Sequence, residues 1–124
     1  MAHCILVVED ERAFAEVLVE LLQDEGYSVV HVGDGITALN MLGSDRPWPD
    51  LIICDVMLPG LRGDRMTAEV RKRFAGPRLP ILLMSASADP LVQLPDVEFM
   101  AKPFETADLL SRIDCMLRPT VPTT

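Results

Sequence analysis

The stretch His3-Cys4-Ile5-Leu6-Val7-Val8, running straight into Glu9-Asp10-Glu11, decides the fold. A short apolar run rich in β-branched residues describes a strand covered on both faces. The acidic turn that closes it opens a helix: Phe14, Val17, Leu18, Leu21 and Leu22 recur at helical spacing, and Gly26 supplies a stop. Strand, turn and helix then repeat along the chain. Tyr27 to Val32 reads as a second strand, and Asp34 caps a helix that carries Ile36, Leu39 and Leu42 inward before Gly43 ends it. After Pro47-Trp48-Pro49, Leu51-Ile52-Ile53-Cys54 is a third buried strand that ends on Asp55, with Leu58-Pro59-Gly60 as a turn. Met66, Val70 and Phe74 stripe the next helix. Pro80 to Met84 is a fourth strand ending at Ser85, and Val97 to Ala101 is a short fifth ending at Lys102. A last helix, from about Glu105, buries Leu109, Ile113, Met116 and Leu117.

Apolar strands alternating with amphipathic helices place the chain in the α/β class, as an open parallel sheet covered on both faces with right-handed crossovers. At 124 residues it is expected to fold as one domain. No apolar run approaches the roughly 20 residues of a membrane span. The segment before the first strand has neither a basic region nor a cleavage site, so a cytoplasmic protein is expected. Cys4, Cys54 and Cys115 are scattered among apolar neighbours, which suits reduced, buried thiols better than a disulfide or zinc framework. The net charge of −8 argues against nucleic-acid binding. A local basic stretch (Arg62, Arg65, Arg71, Lys72, Arg73, Arg78) reads as a solvated helix face.

In open α/β sheets ligands bind beyond the carboxyl ends of the strands. Here those ends carry Glu9-Asp10-Glu11, Asp55, Ser85 and Lys102-Pro103. Taken singly each has an ordinary explanation: an acidic turn before a helix is a dipole or capping feature, a serine forms turns, and a lysine is solvated. Their convergence is what carries chemistry. If the first and third strands are neighbours, Asp10, Asp55 and Glu9 or Glu11 crowd one pocket, and carboxylates so placed resist ionising together unless a cation joins them. A hard cation such as Mg²⁺, which takes a few carboxylates, waters and a phosphate oxygen, answers that need. Lys102 adds positive charge and Ser85 a hydroxyl donor. The result is an acceptor site in which a carboxylate takes a phosphoryl group.

From Cys4 to about Arg118 the chain resembles the response-regulator receiver domains of two-component signalling. The resemblance lies in Ile5-Leu6-Val7-Val8-Glu9-Asp10-Glu11, Asp55-Val56-Met57-Leu58-Pro59-Gly60, Ser85-Ala86 and Lys102-Pro103-Phe104. It implies that Asp55 is the phosphoacceptor, that Asp10 ligates Mg²⁺ directly and Glu9 through water, and that the Met57 carbonyl is a further ligand. Ser85 and Lys102 would each engage a phosphoryl oxygen, and Phe99 matches the family's switch aromatic. The Lys102-Pro103 bond is expected to be cis. The implied fold is a flavodoxin-like doubly wound sheet of five parallel strands ordered 2-1-3-4-5, with residues 1–118 as the receiver domain and 119–124 as a tail or the start of a linker. The implied role is that of a regulatory phosphoacceptor and not of an enzyme. Its partners would be a sensor histidine kinase or histidine phosphotransfer protein and an unknown output partner, with no direct nucleic-acid or membrane contact and a monomeric state.

Two departures stand out. Leu61-Arg62-Gly63 replaces a common Met-Asp-Gly, and only residues 86–101 separate Ser85 from Lys102, with Pro90 and Pro95 among them. A fourth helix is therefore expected to be short or absent. Competing readings fare worse. A flavodoxin-like cofactor domain needs a Gly- or Ser/Thr-rich phosphate loop where this chain has carboxylates. An aspartate phosphatase usually has a second acid at the position of Met57. A phosphorylation-independent interaction domain is the remaining rival, and the filling of every ligating position argues against it.

Overall fold

The structure is a computed structural model that describes residues 3–44, 47–74, 79–86 and 97–118. Five strands, β1 (Cys4–Val8), β2 (Ser28–Val32), β3 (Leu51–Asp55), β4 (Ile81–Ser85) and β5 (Val97–Ala101), alternate with α1 (Arg12–Asp24), α2 (Gly35–Leu42), α3 (Gly63–Arg73) and α4 (Thr106–Leu117). All strand pairs are parallel, and the sheet order is β2-β1-β3-β4-β5. This is the expected order, with each strand within a residue or so of its expected bounds. The described residues carry four helices. The shortened helix expected after Ser85 falls on residues 87–96, which lie outside the described residues, as do Arg78 and the tail 119–124.

Strand alternation sends successive side chains to opposite faces. Leu6, Val8, Ile52, Cys54, Ile81 and Leu83 pack with α2 and α3, while Ile5, Val7, Ile53, Leu82 and Met84 pack with α1 and α4. Every residue of β3 and β4 is buried, as a doubly covered parallel strand requires. The helices bury narrower stripes than their sequence pattern suggests. In α1 the buried set is Ala15, Leu18 and Leu22, with Phe14 and Leu21 half-buried, and Val17 is 67% exposed. At about 100° per residue, Val17 lies opposite that set. Ile36 is likewise outside the stripe of Ala38, Leu39 and Leu42, and 57% exposed. Met116 and Leu117 are only half-buried in α4. Of the thiols, Cys54 is buried, Cys4 half-buried and Cys115 exposed, so the expectation of three buried cysteines fails for Cys115, on the outer side of α4.

Gly63 is required by close approach. A Cβ there would collide with the Asp55 carbonyl oxygen and meet the Cys54 sulfur at 3.0 Å. Its N–H donates to the Val56 carbonyl (2.8 Å), which brings the start of α3 onto the end of β3.

Candidate functional site

Register determines what meets at the carboxyl edge. Val8 pairs with Cys54, so Glu9 and Asp55 come next on neighbouring strands; Asp55 pairs with Met84, and Ser85 with Ala101, so Ser85 and Lys102 follow in turn. Glu9, Asp55 and Lys102 continue the alternation of Val7, Ile53 and Met100, all of which face α1 and α4. Among the described residues the buried polar side chains are Glu9, Asp55, Asp64, Thr67 and Ser85; Thr67, inside α3, bonds back to the Gly63 carbonyl, and the others lie at a strand end or at the start of α3.

The Lys102 ammonium donates to Glu9 Oε1 at 2.9 Å and to Asp55 Oδ2 at 3.4 Å. Its side chain is 17% exposed, and it lies over the Phe14 ring, 4.0 Å from the centroid. Burial pulls the lysine pKa down, but the hydrogen bond it donates to Glu9 and the charges of Asp55 and Glu9 outweigh it, so the net shift is upward and the charge is held. Glu9 is 1% exposed, and burial pushes its carboxyl up despite the hydrogen bond from Lys102 and the weaker one from the Glu11 N–H (3.3 Å). The lysine therefore keeps its proton firmly, while its buried partner carries an unfavourable charge. Asp55 Oδ1 accepts from the Met57 N–H at 3.2 Å. Burial drives the neighbouring Cys54 thiol strongly upward, so it stays a neutral packing group.

Oxygen atoms of Glu9, Asp10 and Asp55 lie within 4.8 Å of one another. Asp10 is exposed, which leaves the cluster open on its solvent side. An all-oxygen donor set of three carboxylates, two of which share the one Lys102 ammonium, suits a hard divalent cation and no soft one. Met57 is 57% exposed beside the cluster, and Phe99 is 40% exposed on β5. The Lys102-Pro103 bond is cis.

Comparison with known proteins agrees with this geometry. The family model of the response regulator receiver domain matches residues 5–114. The chain belongs to the response regulator receiver family. As a receiver domain it is a phosphoacceptor element of two-component signalling. It is 38% identical, over 98% of its length, to the response regulator MprA of Mycobacterium bovis, and spans 54% of that relative. Among solved structures it resembles the signal receiver domain of a histidine kinase from Syntrophus aciditrophicus (31% identity, 99% and 98% of the two chains, TM-score 0.84). It also resembles the receiver domain of a sensor histidine kinase from Pseudomonas aeruginosa PAO1 (30% identity, 94% and 98%, TM-score 0.79), which has a magnesium ion coordinated in its active site cleft.

Sequence reasoning named Glu9, Asp10, Asp55, Ser85 and Lys102, and the fold brings them to one edge. It read Phe14 only as a member of the α1 stripe and passed over two neighbours. The His31 ring lies 2.8 Å through Nε2 from the Glu9 carbonyl, and Asp64, 8% exposed, accepts from Arg62 Nε and the Arg65 N–H. No local pattern announces them, because each depends on a partner from a different turn or on the burial of the α3 start.

Proposed function

We propose that this receiver domain accepts a phosphoryl group on Asp55 from a phosphohistidine of a sensor kinase or phosphotransfer protein, with Mg²⁺ held by Glu9, Asp10, Asp55 and the Met57 carbonyl. The observation that carries the reading is the clustering of three carboxylates with the Lys102 ammonium at the carboxyl edge. When bound, the cation neutralises the carboxylates and the phosphoryl oxygens. An Asp55 carboxylate oxygen attacks phosphorus as the phosphorus–nitrogen bond of the donor breaks, and the bonding pair leaves with the imidazole. Lys102 pairs with one equatorial oxygen and the Ser85 hydroxyl donates to another, so charge moves into a prearranged field. Drawing Ser85 toward the phosphate lets Phe99 turn inward from its half-exposed position, which transmits the state to β5.

Residues 1–118 form the receiver unit in this reading, a cytoplasmic monomer that regulates an output partner and catalyses no turnover of its own. No described helix is long and apolar enough to cross a membrane. The test is intact-mass measurement after incubation with acetyl phosphate and Mg²⁺. One added phosphoryl group is expected on the wild type and none on Asp55→Asn; labelling that persists in the variant would falsify the assignment.

A further inference from the structure

We propose that Phe14 is a positioning residue for phosphorylation, its ring face holding the Lys102 ammonium beside the acceptor carboxylate; this rests on the assignment of Asp55 and Lys102 above. Lys102 sits at the end of a flexible four-carbon stem, and ordering such a chain costs conformational entropy. Its two carboxylate partners do not pull equally. Glu9 lies at 2.9 Å and Asp55 at 3.4 Å, so carboxylate attraction alone draws the ammonium toward Glu9 and away from the acceptor. The Phe14 ring, 4.0 Å from Nζ, supplies a third and independent attraction. An ammonium over an aromatic face is bound by the ring quadrupole, more strongly where water is excluded, and Lys102 is 17% exposed here.

The ring is itself braced. Phe14 lies in the first turn of α1, and it meets Phe104 edge-on, with centroids 6.0 Å apart and planes at 78°. Phe104 follows the Lys102-Pro103 pair, so α1 and the segment after β5 are fastened to each other at the lysine. A leucine at position 14 would fill similar space and complete the same helical stripe, but it offers no quadrupole. Loss of a partly desolvated cation–π contact in the reacting state corresponds to about a threefold to tenfold change in rate.

The experiment uses the full chain, acetyl phosphate and Mg²⁺, with the phosphorylation rate followed by quenched intact-mass measurement. Phe14→Leu is expected to slow the reaction about threefold to tenfold, whereas Phe14→Tyr and Phe14→Trp, which keep a π face, restore it to within about twofold. In a Lys102→Met background Phe14→Leu should add nothing, since the two changes remove one interaction. Equal rates for Phe14→Leu and wild type, or full additivity with Lys102→Met, overturn the proposal. If Phe14→Leu does not fold, progressively fluorinated phenylalanine at position 14 replaces it: the rate should fall with each fluorine, and a flat series overturns the proposal. The Lys102 ε-methylene resonances should show an upfield ring-current shift that Phe14→Leu abolishes. Unchanged labelling in both Lys102→Met and Asp55→Asn would sink the underlying site assignment, and the role of Phe14 with it.

Discussion

Two acidic turns in this chain do opposite things. After β2, Asp34 accepts from the Thr37 N–H at 2.7 Å and from the Thr37 hydroxyl at 3.0 Å, so it caps α2 in the usual way. After β1, Glu11 occupies the corresponding N-cap position of α1 but makes no side-chain cap bond, and the first turn of α1 holds no acid. Its neighbours Glu9 and Asp10 point their chemistry across the sheet edge toward Asp55 and Lys102. An acid before a helix therefore has two uses. Which one it serves depends on what the adjacent strand places opposite it: β2 lies at the edge of the sheet, whereas β1 is flanked by β3 and its terminal carboxylate.

The third turn of this kind, after β3, supplies the largest expected effect. Gly63→Ala would drive a methyl group into the Asp55 carbonyl, so a loss of about 3 kcal/mol in unfolding free energy is expected from urea denaturation. A loss below about 1 kcal/mol would mean that α3 can back away from the site without cost.

Next comes the metal. Asp10→Ala should weaken Mg²⁺ binding by more than about tenfold, since even the loss of outer-shell partners commonly costs that much. It should also raise the melting temperature of the metal-free protein by relieving carboxylate repulsion. Asp34→Ala should leave Mg²⁺ affinity unchanged, and calorimetric titration of the two variants compares the turns directly. Equal affinities would erase the distinction between them.

The two turns should also titrate with opposite sign. Burial raises the Glu9 carboxyl above its ordinary 4.5, so the folded protein binds this proton more tightly than the unfolded chain. That contribution is fully present below 4.5 and is lost as pH rises through the folded value. Glu9→Gln should therefore remove the associated gain in metal-free stability seen as pH falls from neutrality. Thermal melts across that range check it, and an unchanged slope contradicts it. The smallest effect belongs to Asp34, whose capping bonds from Thr37 hold its carboxyl below the ordinary 3.8. Its contribution is present above 3.8 and is lost as pH falls through the folded value, so the small destabilisation from Asp34→Ala should fade in acid. A penalty that grows in acid would refute the capping role.

Local sequence determined much of this molecule. The apolar runs of β1, β3 and β4 could be placed because strands buried on both faces have to be apolar throughout, while β2 and β5, at the sheet edges, are largely open or half-buried; Asp34 could be given its cap from its position alone. The resemblance carried by Glu9-Asp10, Asp55, Ser85 and Lys102-Pro103 supplied the strand order and the site. Helix faces were less legible. Val17 and Ile36 fit an apolar spacing yet lie on the outer side, because a stripe wider than the contact leaves its margin in water. Tertiary structure alone decided that Glu9 is buried while Asp10 is open, that Lys102 leans toward Glu9 more closely than toward Asp55, and that Phe14 stands under the ammonium. Each of these depends on the distance and solvent exposure of groups brought together from separate turns, and electrostatic strength follows distance and dielectric, which no spacing along the chain encodes.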